Sequence, residues 1–125
     1  MWRKPMTRNQ EIGKASEDFV AKYLEQRGSK ILARNFAVHN VGEIDIICEY
    51  KGKILVIEVK SRDSRERYGT PQEAVTKSKQ QKIMRTALEF CKENRIDLER
   101  VSYFVAGVIH DASGSILDVQ FTPFF

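Results

Sequence analysis

Two strand-like runs meeting at a two-residue turn limit, more than anything else in this chain, what it can fold into. They read Glu43 to Tyr50 (EIDIICEY) and Lys53 to Lys60 (KILVIEVK), with Lys51-Gly52 between them. Both runs are rich in β-branched residues, and a Gly-containing pair at their junction is a hairpin signal. Pairing Tyr50 with Lys53 and counting back sets Asp45 opposite Glu58 and Glu43 opposite Lys60. Alternation along a strand then places all four side chains on one face, at one end of the hairpin. The other face carries Ile44, Ile46, Cys48, Leu55, Ile57 and Val59, which is wholly apolar and requires a helix over it.

Carboxylates directly opposed on adjacent strands have Cβ atoms about 5 Å apart and repel each other. A hard divalent cation removes that repulsion, because Mg²⁺ takes oxygen ligands and needs only one or two protein carboxylates. Lys60, two residues after Glu58, adds a positive charge on the same face. Two carboxylates and a lysine around a metal suit phosphodiester hydrolysis: the metal polarises phosphoryl oxygen and acidifies water, and the lysine orients that water or stabilises charge. The alternative is a solvated hairpin mouth whose ion pairs are worth under about 1 kcal/mol each.

The remaining segments fall into place around the hairpin. Arg8 to Arg27 reads as a helix ended by Gly28, with Ile12, Ala15, Phe19, Val20, Tyr23 and Leu24 as its apolar stripe. Glu17 lies at the margin of that stripe, where it either faces a site at the sheet edge or serves solubility. Lys30 to Phe36 reads as a first strand, and Ser61 to Gly69 as a charged loop. Thr70-Pro71-Gln72-Glu73 is a capping box with proline at the first helical position. Ser78-Lys79-Gln80-Gln81 repeats the capping pattern, so the helical region breaks near Thr76 before a main helix running to about Asn94. Ile83, Met84, Ala87, Leu88, Phe90 and Cys91 form its apolar face. Val101 to Ile109 is a near-continuous apolar strand, as expected for a buried strand reached by a helical crossover. Asp111–Ser115 is a turn and Ile116–Pro123 a last strand. The order αβββαββ specifies an α/β fold, a mixed β-sheet flanked by helices.

A chain of 125 residues suits a single domain, with residues 1–7 as a flexible basic arm. No apolar run is long enough for a membrane span and the N-terminus lacks a signal peptide's apolar stretch. Cys48 and Cys91 are far apart and form no CxxC or Cys/His cluster, so reduced, buried thiols in a cytoplasmic protein are expected. His39 and His110 are isolated and do not suggest zinc. The net charge of +4 is modest, but basic residues gather in Arg3, Lys4 and Arg8, in Arg62, Arg65 and Arg67, and in Lys77, Lys79, Lys82 and Arg85. Such clusters make sequence-independent phosphate contacts. Arg62, Lys79 and Lys82 are the candidate nucleic-acid contacts.

Glu17, Gly42-Glu43-Ile44-Asp45, Ile57 to Arg62 (IEVKSR) and Gly69 to Val75 (GTPQEAV) occur here in an order and spacing that resembles the YraN-like family of small bacterial proteins. That family is similar to the archaeal Holliday-junction resolvases and belongs to the PD-(D/E)XK nuclease superfamily. The resemblance runs from about Asn9 to the last strand. It implies a restriction-endonuclease-like fold with Asp45, Glu58 and Lys60 as catalytic residues and the Val59 carbonyl as a further metal ligand. Glu17 corresponds to the first-helix glutamate of the resolvase-like branch. The proline that names the superfamily motif is absent, since Ile44 precedes Asp45.

The expected function is an Mg²⁺- or Mn²⁺-dependent endonuclease acting on structured or branched DNA. Glu17 is its auxiliary carboxylate, and Glu43 tunes Lys60 or the charge of the site. The alternative is a nucleic-acid-binding protein that retains the nuclease fold with little or no activity. A third reading is an unrelated interaction domain. Cutting a four-way junction or duplex would favour a homodimer. Phe121, Phe124 and Phe125 either supply its interface or close over the domain's own core, and the core is preferred.

Overall fold

The hairpin forms because two β-branched runs flank residues that accept the backbone of a tight turn. Lys51 and Gly52 have φ of 49° and 79°, the left-handed pair that matches strand twist in a two-residue connection. A computed structural model describes residues 4–66 and 75–124. In chain order the elements are α1 (Arg8–Gln26), β1 (Lys30–Val38), β2 (Gly42–Tyr50), β3 (Lys53–Asp63), α2 (Lys77–Asn94), β4 (Val101–His110) and β5 (Ile116–Pro123). The sheet order is β1-β2-β3-β4-β5. Only the β3–β4 pair is parallel, so α2 is the crossover between them. This is the expected αβββαββ order and a mixed α/β sheet.

Both faces of the sheet are covered. α1 packs Val20, Ala21 and Leu24 on Ile46, Cys48, Ile57, Ala106 and Val108. α2 packs Ile83, Ala87 and Phe90 on Ile44, Ile47, Ile54, Val56 and Val105. Thr7 caps α1 in a reciprocal capping box with Gln10, and Thr76 caps α2 by accepting from the Lys79 amide. Phe124 is buried against Tyr103 in the α2-side core, and Phe121 packs on Tyr23 of α1. These two aromatics of the tail therefore close the core.

Several expectations need correction. The main helix begins at Lys77 with Thr76 rather than Ser78 as its cap; the Thr70–Glu73 capping box lies outside the described residues. β3 runs on to Asp63, where Ser61–Gly69 reads as a loop, because β4 pairs with it residue by residue up to Asp63↔His110. The buried stripe of α1 is Ser16, Val20, Ala21 and Leu24, with Ala15 and Phe19 outside it. A polar contact sets that rotation, for Ser61 donates a 2.7 Å hydrogen bond to the Ser16 hydroxyl. On α2, Met84 and Leu88 are exposed and Thr86 is buried. Ile44 joins the α2-side core, whereas Ile46 and Cys48 face α1. Alternation on β2 is thus broken at Asp45. On β1 the break falls at Asn35, which adopts φ 52° between the pairs Arg34↔Ile46 and Phe36↔Ile44.

Candidate active site

The register runs as counted from Tyr50↔Lys53 to Ile46↔Ile57, and the ladder between β2 and β3 stops there. Asp45 and Glu58 stand at the fork. Asp45 reaches across the gap, and its Oδ2 accepts the Val59 amide at 2.7 Å. Gly42, Glu43, Asp45, Glu58, Lys79, Lys82 and Ile83 line a cleft of about 220 Å³ under the first turns of α2. A Cβ on Gly42 would lie 2.9 Å from Thr86 Oγ1 and 3.3 Å from Lys82 Cβ. The missing side chain lets α2 approach close enough to set its lysines above the carboxylates.

Glu58 is buried, at 6 % exposure. Burial first, and then the Asp45 carboxyl beside it, push its pKa up to about 8 against the pull of Lys79 and Lys60. Glu58 therefore keeps its proton to higher pH than an ordinary glutamate. Lys79 Nζ lies 3.4 Å from Glu58 Oε2. Lys60, on the same side of β3, lies against Lys79. Burial and that second ammonium lower its pKa, while Glu58 and Asp45 oppose the change. For Lys79 burial works against the charge, but Lys60, Glu58 and Asp45 outweigh it and raise the pKa.

A second acidic group adjoins the first. Glu17 of α1 has its pKa raised by burial, then by Asp45 and Glu43, with Arg34 opposing. With its amide nitrogen turned inward, Asn35 donates to Glu17 Oε1 at 2.9 Å and to Glu43 Oε1 at 3.3 Å. Asparagine tolerates the left-handed backbone of this position, so the break in β1 and the bridge between two acids come from one residue. Sequence reasoning passed over Asn35; a lone asparagine inside an apolar strand run, where its type is disfavoured, was the available signal.

The fold thus gathers Asp45, Glu58, Lys60, Glu17, Glu43, Lys79 and Lys82 at one end of the sheet. Two expectations do not hold. Glu43 does not sit across from Lys60, because β2 has left β3 by that point and Glu43 turns to Asn35. Arg62 continues β3 opposite Ile109 and does not line the cleft.

Among the described residues no three His, Cys, Asp or Glu side chains form a ready-made metal cluster. The donor set is two carboxylates and the Val59 backbone. Val59 turns its amide to Asp45, and in an extended strand the carbonyl leaves on the same side. Oxygen donors of this number fit Mg²⁺ or Mn²⁺, whose remaining positions go to water and phosphate. They do not fit a structural zinc site, which calls for thiolates and imidazoles.

Residues 16–101, which include all the residues just named, match the model of "Uncharacterised protein family UPF0102". The chain belongs to that family. A UPF0102 protein of Dictyoglomus thermophilum is 36% identical over 113 residues, 90% of this chain and 94% of that one. One of Syntrophus aciditrophicus is 40% identical over 103 residues, 82% and 80% of the two chains. This UPF0102 member also overlays on a chain of the EndoMS–dsDNA2 complex with 20% identity and a TM-score of 0.38, over 87% of its own length and 38% of the other's. An overlay that loose carries no weight for fold or function. No helix among the described residues is long and apolar enough to cross a membrane.

Proposed function

We infer that this protein is a metal-dependent endonuclease that hydrolyses phosphodiester bonds of nucleic acid, with structured or branched DNA as the substrate class. One observation carries the reading: Asp45 and Glu58 converge where β2 leaves β3, with Lys60 beside them and the lysines of α2 overhead. A buried glutamate beside a half-buried aspartate costs stability in a free protein, and a divalent cation between them gives the arrangement a purpose.

Asp45, Glu58 and the Val59 carbonyl are the residues that would hold Mg²⁺ or Mn²⁺, which supplies Lewis-acid polarisation of a phosphoryl oxygen and a more acidic water. Lys60 orients the attacking water or meets the charge that develops on phosphate. Its lowered pKa makes the neutral amine, the form able to take a proton from water, more accessible than in an ordinary lysine. Lys79 and Lys82 reach the phosphates that flank the scissile bond. Glu17 and Glu43, coupled through Asn35, hold negative charge behind Asp45. Arg62, outside the cleft, would contact the strand further along.

The alternative reading is a nucleic-acid-binding protein with little or no activity. The Lys79–Glu58 pair favours it, since an ammonium meets part of the charge a metal would meet. The deciding experiment incubates purified protein with four-way junction, flap, duplex and single-stranded DNA and RNA, each with Mg²⁺, Mn²⁺ or EDTA. Asp45→Asn and Lys60→Ala serve as controls. Cleavage that needs metal and is lost in both variants supports the nuclease. Salt-sensitive binding without cleavage, unchanged by EDTA, supports the alternative. Cleavage undiminished in Lys60→Ala removes the lysine from the mechanism.

A further inference from the structure

Lys79 belongs to α2, whereas the carboxyls it faces belong to the hairpin, and that separation matters. Glu58 has few positions available, since its side chain is only 7% exposed. Lys79 is tethered through a four-carbon stem and is 40% exposed, so its ammonium can leave Glu58 for solvent or for a phosphate at the rim of the cleft. Its backbone is not free to follow, because the Thr76 cap binds the Lys79 amide and Gly42 seats the next turns on β2. An ammonium 3.4 Å from Glu58 Oε2 is close enough to repel a divalent ion that would bind that carboxylate.

We propose that Lys79 is a displaceable internal cation that holds the carboxylate pair against metal in the free protein and moves to a backbone phosphate when nucleic acid binds. Metal and nucleic acid are then linked: each takes up its site more strongly when the other is present, by the same factor. The inference rests on the metal-site reading above and names how that site is regulated. It assigns Lys79 a positioning role distinct from that of Lys82, which lines the same cleft and makes no ion pair with Glu58 among those in the structure.

Calorimetric titration of the full chain with Mn²⁺ tests it, without DNA and with a saturating short duplex, on wild type, Lys79→Met, Lys79→Arg and Lys82→Met. The expected result is that Lys79→Met takes up Mn²⁺ at least about tenfold more tightly than wild type without DNA, within the usual range of site–site coupling. That advantage shrinks once DNA is present. Lys79→Arg keeps the wild-type difference between the two conditions, and Lys82→Met leaves the DNA-free value within about twofold. Equal Mn²⁺ affinity in wild type and Lys79→Met without DNA would overturn the gate while leaving the metal site standing. No Mn²⁺ uptake by any form, with or without DNA, would overturn the metal-site reading and the gate with it.

Discussion

Glu58→Gln separates the charge of the buried acid from its shape, and its effect should depend on pH in a direction the site dictates. The Glu58 carboxyl has its pKa raised from 4.5 to about 8 by burial and by Asp45. A raised acid pKa means that the folded chain keeps a proton the unfolded chain gives up. Stability from this group is therefore full below pH 4.5, falls as pH rises toward 8, and is flat above that. Each pH unit in that window is worth about 1.4 kcal/mol. Between pH 4.5 and 7 the wild type should lose about 3 kcal/mol on account of Glu58 alone, as an upper figure, since Lys60 and Lys79 lie beside it and are coupled to it. Glutamine carries no proton to lose. Urea unfolding in EDTA at half-unit pH steps should show the two proteins close together near pH 4.5 and the variant more stable by about 2 to 3 kcal/mol at pH 7. Mg²⁺ at ten times its dissociation constant should then add about 1.4 kcal/mol to the wild type and little to the variant. Parallel pH profiles for the two proteins would refute the claim that burial and Asp45 load Glu58 with a proton.

Gly42→Ala sets a methyl 2.9 Å from Thr86 Oγ1 and should lower stability by about 1 to 3 kcal/mol. Because α2 carries the lysines, salt-dependent DNA binding should weaken alongside, as fluorescence anisotropy would show. Asn35→Gly keeps the left-handed backbone and removes the amide between Glu17 and Glu43; it should lower metal affinity severalfold with a small change in Tm. Asn35→Ala should add about 1 to 2 kcal/mol of destabilisation to that loss, because alanine resists the backbone. Phe124→Ala opens a cavity beside Tyr103 and should cost about 3 to 5 kcal/mol in denaturant unfolding. Sedimentation should show its oligomeric state unchanged, because the ring fills the protein's own core.

The parts of the site that sequence reasoning reached depend on near neighbours in the chain. The Lys51-Gly52 turn and the β-branched runs beside it determine the register through Ile46↔Ile57, and that register carries Asp45 and Glu58 to the same end of the hairpin. Contacts between distant segments decide what could not be read. Nothing near Asp45 in sequence announces that β2 will leave β3 there, where Asn35 of the neighbouring β1 takes a left-handed backbone and bridges Glu43 to Glu17 of α1. The length of β3 depends on β4, which begins at Val101, thirty-eight residues after β3 ends at Asp63. Lys79 looked like a phosphate contact on an exposed helix; that it would meet Glu58 required knowing how closely Gly42 admits α2.

The fork in the sheet has a mechanical consequence. β2 departs from β3 beyond Ile46 yet stays paired with β1 out to Val38↔Gly42. Those two strands make a short arm beyond the Ile46–Ile57 pair, with Asp45 at its base and Gly42 seated under α2 at its far end. The position of Asp45 relative to Glu58 is thus set through β1 as well as β3, so a substitution as remote as Val38 is expected to change the spacing of the two carboxyls without touching an acid.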